Sequence, residues 1–346
     1  MGILSTGGMG LDLGSANVTI CLQNEGVVLR EPSYVLSMRD STEDVLAVGR
    51  DARQMLGRTP KDVSLISPVN YGAVGDINLA AALMRTLSEK ALGKRRAIEK
   101  NRLVVSFSQG LTRVELDALD QAVRLTGARR PALLRVPIAA ALGAEVPIDD
   151  ARGCLRIVIG SMTTEVAILT LNGVAAARTA RTGSLAIDEA IMRYIRSEKG
   201  LIIGQRTAED LKIDLGSARD IPADSETEVS LRGRDARTGK PNTVTITARD
   251  VRRAILPPLK ALVEQIREAF ENTPAEMAED ILERGAFLSG GGAQLEGLSE
   301  MLGETLGLPV TIGETPQDDV ARGACLAASD DKLNDKLAQS GCLLGL

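Results

Sequence analysis

Histidine is missing from all 346 residues of the chain, which excludes His-based triads and His metal sites and leaves carboxylates, Lys, Tyr or Cys as proton acceptors. Cysteine is scarce. The four present, Cys21, Cys154, Cys325 and Cys342, show no paired spacing, and Cys21 and Cys154 lie in or beside apolar strands. That usage is expected of reduced thiols in a cytoplasmic protein rather than of a disulfide framework. No apolar run approaches the roughly 18 residues of a membrane span, and no stretch has the basic head and apolar centre of a signal peptide. An excess of positive charge is absent too: the net charge is −5, which gives no argument for nucleic acid as a partner. What is present is 44% apolar residues, enough over this length to bury a sizeable core in two domains or one large one.

Around Gly10-Leu11-Asp12-Leu13-Gly14-Ser15-Ala16-Asn17 two short strands meet at a tight turn. Leu11 and Leu13 alternate with Asp12, and Val18, Ile20 and Leu22 continue an apolar strand beyond it. Gly14 accepts backbone angles that other residues avoid, so the turn's N–H groups can approach an anion with the Asp12 carboxylate at its mouth. The pattern returns at Arg156 to Ile168, with Gly160 on Gly14, Ser161 on Ser15, Val158 on Asp12 and Met162 on Ala16. Such a duplication predicts two related half-domains, each offering a hairpin to opposite sides of one ligand. A third signal is Gly290-Gly291-Gly292-Ala293, where a strand from Ala286 runs into three glycines and a helix, so that bare backbone can lie flat against a planar or phosphorylated ligand. Taken singly, an ordinary β-hairpin accounts for the strand-glycine-strand pattern equally simply, whereas the three glycines favour a nucleotide contact over a plain turn.

Along the chain, Arg30-Glu31-Pro32-Ser33 is expected to break the first sheet, and Val45 to Gly49 to feed a helix that Gly57 ends. Leu79, Leu83 and Leu87 predict a helix over Ile77 to Leu92. The basic stretch Lys94 to Arg102 reads either as a solvated loop or as a contact with anionic lipid. A strand at Leu103 to Phe107, a helix opened by the capping box Thr112 to Glu115, a strand at Leu133 to Val136 and the small run Ala139-Ala140-Ala141 indicate an α/β layer fold. In the second half, Ile187 to Ile195 is helical, Thr207 is the expected cap of another helix, and Glu226 to Ile246 alternates like an antiparallel pair. Pro257-Pro258 is expected to interrupt the helix that follows. The division expected is 1–150 and 151–346, with small inserted lobes at about 31–76 and about 185–247. The apolar head Met1 to Leu4 matches an N-myristoylation pattern through Gly2 and Thr6, a pattern too short to discriminate.

The phrases Gly10 to Asn17, Glu31-Pro32-Ser33, Ala47-Val48-Gly49, Met55 to Pro60, Gly204 to Glu209, Arg232 to Asp235 and Ser289 to Ala293, in that order, closely resemble the MreB family of bacterial actin homologues. The likeness runs from about Gly10 to Ala328. It implies an actin-like fold, that of actin, Hsp70 and sugar kinase ATPases, with two duplicated α/β domains each carrying a small lobe and ATP or ADP with Mg²⁺ in the cleft between them. It further implies self-assembly into paired protofilaments at the inner face of the cytoplasmic membrane, where such proteins guide cell-wall synthesis. Carried over by position, Asp12, Gly14, Ser15, Ala16 and Asn17 match the first phosphate loop, with Asp12 holding the metal through water. Gly160, Ser161, Thr163 and Thr164 match the second loop. Glu209 and Lys212 match positions flanking the adenosine, and Gly290, Gly291, Gly292 and Ala293 the glycine loop that borders it.

Three departures from the family pattern bear on chemistry. The second loop's Asp-Ile-Gly-Gly-Gly-Thr-Thr-Glu is here Val158 to Glu165, so the aspartate is lost and Ser161 and Met162 add side chains. The family's Glu-Glu-Pro, which supplies the carboxylate that positions the attacking water, is Arg135-Val136-Pro137. Gly-Gly-Asp has become Gly183-Ser184-Leu185. The expectation is a filament-forming MreB paralogue with weakened nucleotide binding, no assigned catalytic residue and very slow hydrolysis, assembling alone or with a catalytic sister; a working ATPase with a rearranged site is the alternative. A chaperone or sugar kinase is disfavoured, because the chain lacks a large C-terminal substrate domain and substrate-binding insertions. The Ala91-Leu92 tip and the tail Cys342-Leu343-Leu344 are further expected to help dock a polymer on lipid.

Overall fold

Gly10 to Leu22 folds as the hairpin its alternation predicts, with strand Gly8–Leu13 antiparallel to Asn17–Leu22, Leu11 opposite Ile20 and Asp12 opposite Thr19. The computed structural model describes residues 7–345 apart from 40, 42, 43, 94–96, 223–226 and 272–274. The head Met1 to Leu4 with Gly2 and Thr6, and the start of the basic stretch at Lys94 to Arg96, lie outside the described residues.

Two large sheets repeat one plan. In the first, Gly26–Pro32, Asn17–Leu22 and Gly8–Leu13 form an antiparallel meander, and Arg102–Phe107 and Arg129–Arg135 continue it in parallel. In the second, Gly173–Ala180, Thr164–Thr170 and Cys154–Ile159 form the meander and Ala286–Ser289 and Val310–Ile312 the parallel part. Parallel neighbours need a crossover, and helix Arg113–Arg124 supplies one between Arg102–Phe107 and Arg129–Arg135. Its cap is the predicted box: the Glu115 N–H donates to Thr112 Oγ1 at 3.3 Å and the Thr112 N–H to Glu115 Oε2 at 2.7 Å. Smaller three-stranded sheets sit beside the main ones, at Val35–Met38, Val45–Val48 and Val63–Ile66 and at Leu201–Ile202, Glu228–Asp235 and Pro241–Thr247. The expected duplicated α/β plan, with a smaller sheet beside each large one, is therefore the observed architecture.

The halves meet where helix Val136–Gly143 crosses helix Asp319–Ser329. A Cβ on Gly143 would stand 1.8 Å from the Asp319 carbonyl oxygen, and one on Gly323 1.8 Å from that of Ala139, so only glycine permits this approach. Beside the crossing Arg156, 1% exposed, donates to the Ala140 carbonyl at 2.8 Å and to Ser289 Oγ, and pairs with Asp319 at 3.2 Å. Burial pulls the Arg156 guanidinium down to about 10, against the opposing effect of Asp319, and it stays charged.

Four local expectations are corrected. Arg30 to Pro32 stays in the sheet, because Pro32 is the last residue of its strand, where a missing N–H costs no ladder bond. Helix Ala248–Glu271 runs through Pro257 and Pro258, held by buried Val251, Ala254 and Ile255 before them and Leu259, Leu262 and Val263 after. The helix assigned to a Thr207 cap begins at Gln205 with the extended residue Gly204 ahead of it, which puts Thr207 in its first turn. The tail does not face outward: Leu343–Gly345 pairs with Arg129–Arg135, and Cys342 and Leu343 are 2% and 5% exposed in the shared core. That packing removes Cys342 and Leu343 from any lipid-facing set, and Ala91 and Leu92 likewise pack against the first core.

Candidate functional site

The turns of the two hairpins face one another across a cleft of about 910 Å³. Each turn closes on itself, the Gly14 N–H donating to the Asn17 carbonyl at 3.1 Å and the Gly160 N–H to that of Thr163 at 2.8 Å. Of the residues singled out from sequence, Asp12, Gly14, Ser15, Ala16, Asn17, Gly160, Ser161, Thr163, Glu209, Lys212 and Gly290 to Gly292 line this cleft. Thr164 and Ala293 do not. Thr164 is buried and donates its hydroxyl to the Thr182 carbonyl at 2.8 Å, and Ala293 is buried in the second core.

The three glycines divide their work. Gly290 has φ +90°, and a Cβ there would stand 2.3 Å from the Ile159 carbonyl oxygen; a Cβ on Gly292 would stand 2.4 Å from the Ile159 side chain. Those two let the loop press against the base of the second hairpin. Only Gly291 faces open space, with nothing within 4 Å of where its side chain would be. The expected helix after them is a single 3₁₀ turn, Gly291–Gln294, and the α-helix starts later at Leu298. The altered segment Gly183-Ser184-Leu185 supports the second turn from below: the Ser184 and Leu185 N–H groups donate to the Gly160 and Ser161 carbonyls at 3.0 and 2.8 Å.

Asp12 accepts a hydrogen bond from the Ser106 hydroxyl at 2.6 Å, and burial pushes its carboxyl up to about 6 despite that bond. Opposite it Val158 brings no acid. At the cleft's outer end Glu209 pairs with Arg53 from the first half, and Lys212 pairs with Asp188 at 2.7 Å. Burial raises the Asp188 carboxyl, against the pull of Lys212. Of the two residues that replace the family's glutamates, Val136 lines the cleft and Arg135 does not. Arg135 instead donates to Gln109 Oε1 at 2.7 Å and to the Gly341 carbonyl at 3.4 Å, its guanidinium 5.6 Å from the centre of the Phe107 ring.

Sequence reasoning missed Glu165. It is 2% exposed, yet it lines the cleft, and its Oε2 accepts the Gln109 N–H at 3.0 Å. Burial pushes its carboxyl up to about 7; the Gln109 N–H and Ser108 hydroxyl act against burial, and nearby Asp12 adds to it. The signal was available. Laying the hairpins over one another puts Glu165 on Thr19, the residue paired with Asp12, and Glu165 pairs with Val158.

The family described as MreB/Mbl protein matches residues 6–336. The cell shape-determining protein MreB of Escherichia coli is 38% identical over 318 residues, 91% of each chain. The chain belongs to the MreB/Mbl family. The cell shape-determining protein Mbl of Bacillus subtilis, another relative, is 35% identical over 315 residues, 91% of this chain and 93% of Mbl. Among solved structures, MreB 5 of Spiroplasma citri bound to AMPPNP superposes with a TM-score of 0.85 at 28% identity, covering 97% of this chain and 99% of MreB 5. The same protein bound to ADP gives 0.86. The MamK double helical filament, at 19% identity and a TM-score of 0.74 over 92% of this chain and 98% of MamK, shares the fold. This MreB/Mbl chain is thus a cell shape-determining actin homologue by family.

Proposed function

We propose that this chain binds ATP and ADP in the cleft between its two hairpins and uses the nucleotide to control a cytoskeletal filament, with hydrolysis much slower than in relatives that keep the lost carboxylates. The observation that carries the reading is the pair of self-closed glycine turns facing one cleft with Asp12 at its floor. The residues fit the ligand: Gly291 leaves room beside the Gly160 loop, and the turns leave Ser15 to Asn17 and Ser161 to Thr163 on the wall. Among the described residues no three His, Cys, Asp or Glu cluster as a metal site. A magnesium ion would therefore rely on Asp12 through water and on the phosphates themselves, which is its usual habit. When bound it would neutralise phosphate charge.

Weakened chemistry follows from what stands at the reacting end. Val158 and Val136 present hydrocarbon, and a missing general base typically costs about 10² to 10⁴ in rate. Calorimetric titration with ATP and ADP in magnesium checks the reading. Binding weaker than that of a relative with aspartate at the 158 position is expected; no heat at millimolar nucleotide would show that Ser161 and Met162 have closed the phosphate site and would overturn it. Filament assembly, alone or with a catalytic relative, and attachment to the inner face of the membrane belong to the same proposal, on the support of family membership.

A further inference from the structure

The acid missing from position 158 has a neighbour on the same face of the sheet. Val158 and Glu165 are register partners across the second hairpin, as Asp12 and Thr19 are across the first, and partners in an antiparallel pair point their side chains to one side. Glu165 thereby reaches the cleft floor near Asp12. It is also fixed from the other half of the molecule, since the Gln109 N–H binds its Oε2 and Arg135 holds the Gln109 side chain. The guanidinium that replaced a family glutamate thus reaches this carboxylate through Gln109.

Of the cleft's other carboxylates, Asp214 is exposed to solvent on helix Gln205–Leu215 and the rest are committed elsewhere. Asp188 is paired with Lys212, Glu209 with Arg53, Asp220 with Arg252 and Glu296 with Arg219, while Asp12 is bonded to Ser106 and is the residue left to face a cation. On these grounds, and resting on the nucleotide reading above, we propose that Glu165 holds the water that attacks the terminal phosphate of ATP and takes its proton, and so carries the residual hydrolysis of this chain.

In that step a bond forms between the water oxygen and the terminal phosphorus. The bond from that phosphorus to the bridging oxygen breaks, and the electron pair leaves on ADP. The proton goes to the Glu165 carboxylate and then to the released phosphate.

The test compares the full chain with Glu165→Gln and Glu165→Asp, measuring calorimetric ATP affinity and phosphate release under saturating ATP. Expected for Glu165→Gln are an affinity within about threefold of the parent and a loss of release of about 10²-fold, a change confined to the chemical step. Glu165→Asp, one methylene shorter, keeps the charge and retains part of the rate; it also serves where the glutamine variant does not melt cooperatively. Release from Glu165→Gln at the parent's rate overturns the proposal. So does a parent that binds ATP yet releases no phosphate above a protein-free control. A parent that fails to bind ATP overturns the nucleotide reading instead.

Discussion

Glu165 and Asp12 place two carboxyls where water solvates them poorly, and that has a consequence for the nucleotide-free protein. The Glu165 pKa is raised from 4.5 to about 7 on folding, mainly by burial. Between those values the folded chain keeps a proton that the unfolded chain has lost, so stability is full below the lower value and falls as pH rises through the upper one. Glu165→Gln removes that loss. Urea unfolding at pH 8 is expected to find the variant more stable than the parent by up to about 3 kcal/mol, with the difference fading by pH 4.5. A difference independent of pH would contradict the burial argument. Val136 and Val158 supply a second residue-scale prediction. Val136, not Arg135, faces the cleft, so Val136→Glu with Val158→Asp is expected to raise phosphate release, at least tenfold on a scale of about 10² to 10⁴ for a restored acid–base group. Unchanged release from a double variant that binds ATP would reject the slow-site reading.

At the scale of elements, the crossing of helices Val136–Gly143 and Asp319–Ser329 joins the two halves. Gly323→Ala drives a methyl to 1.8 Å from the Ala139 carbonyl oxygen, a contact relieved only by separating the helices. Overpacking of this kind costs about 1 to 3 kcal/mol, which a lowered urea midpoint measures. Since the crossing lies next to Arg156, Ser289 and Asp319, and Ser289 leads into Gly290, the variant is also expected to weaken ATP binding by displacing the glycine loop. A normal midpoint would mean that the helices slide apart freely. The helix Ala248–Glu271 shows the converse. Its two internal prolines are locally unfavourable, and a buried stripe on both sides holds it together.

At the scale of the whole molecule, bonds that span the cleft tie the halves: Arg53 to Glu209, Gln109 to Glu165 and Arg181 to Glu115, the last at 3.0 Å. The proposed slow hydrolysis would leave ATP in place, so a polymer built in ATP is expected to persist. In a pelleting assay the pelleted fraction in ATP should exceed that in ADP and stay constant over hours. Co-pelleting that appears only with a catalytic relative would make this chain a dependent subunit, and no pelleting in either case would reject the filament reading. Anionic vesicles added to the same assay check membrane attachment.

Much of this was legible from local pattern. Period-two alternation with a glycine at the turn determined both hairpins and their duplication, and the capping box at Thr112 and Glu115 determined where its helix begins, because these are properties of a few adjacent residues. The loss of acids at positions 135, 136 and 158 was equally plain. What lay beyond the sequence was orientation and partnership. Strand alternation stops where Arg135 gives way to the helix at Val136, so no period could say which of them faces the cleft. Glu165 acquires its raised carboxyl only because folding buries it beside Asp12 of the first hairpin, against the opposing pull of the Gln109 N–H from the other half. The last strand, Leu343–Gly345, returns to a sheet formed by residues more than two hundred positions earlier, a pairing that only chain-wide packing selects.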